Sequence, residues 1–104
     1  MTEQFILSIR NITKIRVTFY SKEDGRQIVR LCAPMDFGPS RRAANKDNRY
    51  HLWDFESDTR NHVLSLLPNQ VADMEFTNES FDPSEFITWS PINWFVVRDW
   101  GMYS

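Results

Sequence analysis

Between Ile15 and Tyr20 the chain reads Ile-Arg-Val-Thr-Phe-Tyr, with an apolar side chain at every second position, the period of a strand that buries one face. Lys22-Glu23-Asp24-Gly25 follows, and its Asp-Gly pair supplies a residue that tolerates the positive φ of a hairpin turn. Arg26 to Ala33 is therefore predicted to return antiparallel, until Pro34, which has no N–H to give a ladder, ends the strand. The densest run of strand-forming residues is RYHLWDFES, Arg49 to Ser57. Within it Tyr50, Leu52, Asp54 and Glu56 fall on one face and His51, Trp53 and Phe55 on the other. Because the first face turns acidic and the second stays apolar, the second is expected to be the core face. His62 to Leu67 and Val71 to Thr77 complete five strands, set apart by a polar turn, Ser57 to Asn61, and by Pro68-Asn69-Gln70. Short turns between five such strands fit a small antiparallel barrel. Val17, Phe19, Trp53, Phe55, Leu64, Leu66, Met74 and Phe76 are expected in its core.

Residues 3 to 12 put Phe5, Ile6, Ile9 and Ile12 at helical spacing, with Thr2 as N-cap and Glu3 in the first turn, where the helix dipole favours an acid. A short helix is predicted, although Phe5, Leu7 and Ile9 also fit a strand. Asp82-Pro83-Ser84-Glu85 starts a second helix, with an N-cap, a proline at the first position and an acid at the third. Ser90-Pro91 stops it by about residue 89 and leaves Phe86 and Trp89 to face the barrel. The last stretch, NWFVVRDWGMYS, is too aromatic for disorder. It is expected to fold back as an edge strand or a strap, or else to offer Trp94, Phe95, Trp100 and Tyr103 to a partner. Residues 36 to 49 read as a long polar loop, of a length that is either functional or flexible. Flexibility is the favoured reading, since Ala43-Ala44-Asn45 offers little to pack.

At 104 residues the chain has room for one core, hence one domain over 1–104, with the barrel at about 15–77 and the C-terminal helix and strap at about 82–104. No apolar run approaches the roughly 20 residues that span a bilayer, and MTEQFILSIR lacks the basic n-region of a signal peptide. A single cysteine, Cys32, has no internal disulfide partner, so a reducing, cytoplasmic setting is expected. The net charge of −2 argues against a general nucleic-acid coat, yet it is unevenly spread: residues 1 to 72 hold 11 Lys/Arg against 8 Asp/Glu, and residues 73 to 104 hold 1 against 6. Cys32, His51 and His62 are the residue types of a nucleophile–base pair or a zinc site but lack the spacing of either. Asp36-Phe37-Gly38 matches the magnesium tripeptide of kinases in a chain too short to be one. Neither an enzyme nor a cofactor is expected. For binding, Arg41, Arg42, Lys46 and Arg49 beside Tyr50 and Trp53 combine cations for phosphate with rings for bases. A solvated loop and a core Trp53 explain the same residues.

Residues Ser8 to Phe81 taken together resemble a WYL domain, an Sm-like or SH3-like β-barrel found mostly in bacterial regulators. SIRNITKIRVTFY is similar to that family's opening helix end and strand. VRLCAPMDF resembles its R-x-x-x-P-L stretch, with Arg30, Pro34 and Met35 on the arginine, proline and leucine. Tyr50, His51 and Leu52 fall on the naming triplet, Phe55-Glu56 on the aromatic-acid pair after it, and LSLLPNQVADMEF on the F-R-L-D-R-I stretch and final strand. The resemblance implies a mainly β fold, a small five-stranded antiparallel SH3/Sm-like barrel with a short N-terminal helix and a short helix plus aromatic segment at the C-terminus. It also implies a stand-alone, non-catalytic regulatory module that senses a nucleotide or nucleic acid through Arg30, Arg41, Arg42, Arg49, Tyr50 and His51. Ser65 and Gln70 stand where the family carries basic residues, which implies a less positive site. The competing expectation is a protein–protein interaction or adaptor module, in which a protein partner or a second copy meets the aromatic segment or a barrel edge.

Overall fold

A computed structural model, which describes every residue except Arg60 in the turn expected over 57 to 61, shows one helix, α1 (Thr2–Asn11), followed by five antiparallel strands. They are β1 (Thr13–Ser21), β2 (Arg26–Pro39), β3 (Asn48–Asp54), β4 (Val63–Leu66) and β5 (Val71–Ser80), in the sheet order β4-β3-β2-β1-β5. The helical reading of the N-terminus holds, with Phe5, Ser8 and Ile9 buried. Thr2 is not its cap: it lies within the helix, and its hydroxyl hydrogen-bonds that of Tyr50 at 2.6 Å. Ile12 adopts the left-handed region, φ 50°, and turns the chain at once into β1. Gly25, φ +65°, closes the predicted β1–β2 hairpin by donating to Ser21 O at 2.8 Å.

β2 runs past the proline expected to end it. Pairing with β1 stops at Ile15 opposite Cys32, and on the β3 side a register shift between Pro34 and Asp36 marks a bulge. Pro34 thus sits where the missing N–H breaks little of a ladder. The loop expected over 36 to 49 shrinks accordingly to the residues between Pro39 and Asn48. From Cys32 to Asp36 every residue is buried, because here the sheet is covered on both faces and no longer alternates.

The core face of β3 is the opposite of the one expected. Tyr50, Leu52 and Asp54 are buried, while His51 and Trp53 are half-buried on the outer side. The acid misled the reading: Asp54 points inward and is paired there, with Arg30 Nε at 3.3 Å and Glu56 N at 2.9 Å. Tyr50 is likewise admitted to the interior because Thr2 satisfies its hydroxyl. Of the expected core residues, Val17, Phe19, Leu66 and Met74 are buried; Trp53, Phe55, Leu64 and Phe76 are half-buried at its margins. β4 and β5 end the sheet order and are joined by the 3-10 turn Pro68–Gln70. The sheet therefore curls around Ile15, Val17, Cys32, Leu52, Leu66 and Met74 without closing.

Asp82 caps as expected, accepting from Ser84 N at 2.9 Å, but the helix it starts is a single 3-10 turn, Pro83–Glu85. Phe86 packs inward against Trp53, at 5.3 Å between ring centres, whereas Trp89 is exposed and meets Trp94 edge to face. The tail adds no strand among the described residues; it is a strap across the outer face of β2. No helix among the described residues is long and apolar enough to cross a membrane.

The inward assignment of Leu52, which has no exposed surface, has a direct consequence. Leu52→Ala is expected to lower stability by about 2–5 kcal/mol, read from the shift of a urea unfolding midpoint at unchanged slope. A loss under about 1 kcal/mol would return the core to the His51 face.

Candidate functional site

The outer face is organised by Asp36, brought by the bulge in β2 opposite His51. Its Oδ2 accepts from Phe95 N at 3.0 Å, and its Oδ1 from Val96 N at 2.9 Å and from Arg98 Nη2 at 3.2 Å. The Arg98 side chain has no exposed surface. Its guanidinium lies between the rings of Trp94 and Trp100, 4.2 and 4.4 Å from their centres, while Nη1 donates to Met35 O and Nε to Val96 O. Burial pulls its pKa down to about 10 against the pull of Asp36, so the group is still charged at neutral pH. Trp100 Nε1 donates to Ile9 O at 2.8 Å and ties the strap to α1.

This clamp places Phe95. The ring rests on Gly38, where any Cβ would lie 2.7 Å from Phe95 Cγ, so the close approach admits only glycine. Arg49 is the cross-strand partner of Gly38, and partners stand side by side about 5 Å apart on one face; Arg49 therefore flanks Phe95. Arg41 covers the same ring, its guanidinium carbon 4.5 Å from the centre, and donates to Asn93 O at 3.1 Å. His51 bridges Gly38 O, 2.9 Å from Nε2, and Ser65 Oγ, 2.8 Å from Nδ1. A carbonyl only accepts, so Nε2 carries a proton. Lys46 donates to Ser40 O and Arg41 O, folding the loop on itself, and Arg42 is exposed along it. Phe95 is 45% exposed, and Arg49 Nε is buried with no hydrogen-bond partner among the described residues.

Arg30 belongs elsewhere. It pairs across the ladder with the buried Val17 and so faces the interior, whereas Arg49 and His51 face out. Burial pushes the Asp54 carboxyl above its usual range, although the Glu56 N–H and the Arg30 charge oppose the rise. Of the six residues expected at one site, the structure thus gathers Arg41, Arg49 and His51 around Gly38, with Arg42 on the adjoining loop. Arg30 is placed on the inner face and Tyr50 in the core, 2% exposed. Phe95, Asp36 and Arg98 were not among the expected site residues. Two of them were read differently along the chain, Asp36 within a chance kinase match at Asp36-Phe37-Gly38 and Phe95 within a tail that folds back or faces a partner, and Arg98 was not singled out.

The nucleophile and metal candidates are engaged separately. Burial pushes the Cys32 thiol well above its ordinary range, with Asp54 and Glu56 adding to the rise. His62 stacks on Trp53 and holds Asp54 O at 2.7 Å. Among the described residues no three His, Cys, Asp or Glu side chains are grouped to hold a metal. Compared with known proteins, the chain matches no family model, no curated protein sequence and no solved structure.

Asp36→Ala strips the acceptor from two strap amides and leaves Arg98 unpaired, a loss of about 3–5 kcal/mol for a buried pair broken from one side. Amide hydrogen exchange at residues 94 to 100 is expected to accelerate more than at β1. Equal protection in both proteins would show that the strap is held by its aromatic packing alone.

Proposed function

We propose that the chain is a non-catalytic binding module that takes a nucleotide or single-stranded nucleic-acid ligand on its outer face, at Arg41, Arg42, Arg49 and Phe95. One observation carries the reading: a part-exposed ring seated on Gly38 and covered by Arg41, with Arg49 at the strand position opposite Gly38. Bases stack on aromatic rings and on guanidinium planes, worth about 1–3 kcal/mol each. Arginine forks hold phosphate oxygens by two parallel bonds. Arg49 Nε has no hydrogen-bond partner among the described residues, so no protein acceptor there competes with a ligand for that nitrogen. The resemblance to WYL domains, resting on the quoted motifs from Ser8 to Phe81, supports placing this binding in regulation. In this reading Ser65, where the family has a base, orients His51 instead.

A protein partner or a second copy is the competing reading, favoured by Val97 and Met102, 81% and 83% exposed on the strap. Anisotropy of a labelled oligothymidylate separates the two. With Arg41, Arg42 and Arg49 all changed to Ala, affinity is expected to fall at least about tenfold and the slope of log K against log salt to lose about 2, since each single-strand phosphate contact contributes roughly 0.7. Salt-independent binding, or binding unchanged in a variant with a native spectrum, would transfer the function to the apolar strap surface.

A further inference from the structure

The inner face has a site of its own. Where the barrel stays open, between the β1–β2 turn and β4, lies a cavity of about 540 Å³, inside the range of roughly 300–1,000 Å³ that small-molecule sites occupy. Phe19, Ile28, Leu64 and Leu66 contribute apolar lining, and the Arg30–Asp54 pair lies among them. Only the Nε of Arg30 is used by Asp54, at 3.3 Å; Nη1 makes one long contact, 3.4 Å, with the carbonyl of its own neighbour Val29. The side chain is 32% exposed while Asp54 is 5% exposed. A buried carboxylate thus holds the guanidinium from behind and leaves its outer edge toward the cavity, the arrangement that preorganises an arginine fork for an oxyanion.

We propose that this cavity binds a small monocarboxylate with a short apolar tail, its carboxylate on the free edge of Arg30 and its tail against Ile28 and Leu64. The charge around the cavity favours a monoanion over a dianion. Among the described residues of the lining, Lys22, Arg26 and Arg30 stand against Glu23, Asp24, Asp54 and Asp58, a balance that repels a phosphate dianion or a nucleic-acid backbone more strongly than a single negative charge. A single carboxylate on the free edge of Arg30 meets the least repulsion from those acids, and the apolar lining adds to the affinity. This site is separate from the outer arginines and does not depend on them.

NMR amide shifts test the assignment, with hexanoate as the probe and hexanamide and inorganic phosphate as controls. Hexanoate is expected to shift amides 28 to 31, 54 to 56 and 63 to 66 saturably, with hexanamide at least about tenfold weaker, the factor corresponding to loss of one charge-assisted pair, and phosphate without effect there. Arg30→Lys keeps a cation for Asp54 but loses the fork, and is expected to weaken hexanoate by about the same factor. Leu64→Trp fills the cavity without touching the ion pair, and is expected to abolish the shifts; it decides the matter should Arg30→Lys fail to fold. Absence of saturable shifts in the wild type at millimolar hexanoate overturns the proposal. So do equal affinity for hexanamide, shifts that survive in folded Leu64→Trp, and shifts that map to residues 41 to 51 and 95.

Discussion

The buried pair between Asp36 and Arg98 joins the parts of this molecule that would otherwise be independent. Removing two ions from water costs several kcal/mol each, and their attraction alone does not reliably repay it. Here the deficit is offset by hydrogen bonds on both partners. The carboxylate accepts from two strap amides as well as the guanidinium, and the guanidinium donates to Met35 O and Val96 O between two indole faces. What such a set contributes is direction. A greasy strap could slide along the sheet; a carboxylate that must meet two consecutive N–H groups allows one register. From that register follow the seat of Phe95 on Gly38 and the bond from Trp100 to α1.

The same sheet carries a second arginine–aspartate pair on its other face, and the contrast explains their different potential. Arg98 is enclosed and each of its three nitrogens donates to a protein acceptor, so it works as structure. Arg30 meets its aspartate through one nitrogen and stays a third exposed, so it keeps capacity for a ligand. The outer arginines differ again: Arg41 and Arg42 sit on the loop and Arg49 at the start of β3, with Asp47 the one acid between Ser40 and Arg49. The proposed polyanion site therefore lies outside, and the proposed monoanion site inside. That division comes from the side to which each β-strand residue points, a matter of single-residue register.

Much of the architecture was legible along the chain because it is local. Period-2 alternation in β1, the Asp-Gly turn, the break at Pro68 and the cap at Asp82 each depend on neighbours within a few residues. The amphipathic face of α1 was legible too, with the strand alternative settled by what Phe5 and Ile9 pack against. Positive charge in the 41 to 49 loop could be read directly, as could the aromatic weight of the tail.

What the sequence by itself determined was therefore the N-terminal helix, the five strands with their antiparallel pairing, and the residue types available for binding. Tertiary structure decided which face of β3 is inside, because an acid marks the solvent side only while it lacks a partner, and the partner of Asp54 is 24 residues away on β2. It also decided that β2 continues through Pro34, since a proline is tolerated wherever neighbouring strands leave its N–H position unused. Finally it decided the candidate site. Phe95 reaches Gly38 and Arg41 across more than 50 residues of chain, and such contacts obey packing and charge in space, which no period along the sequence encodes.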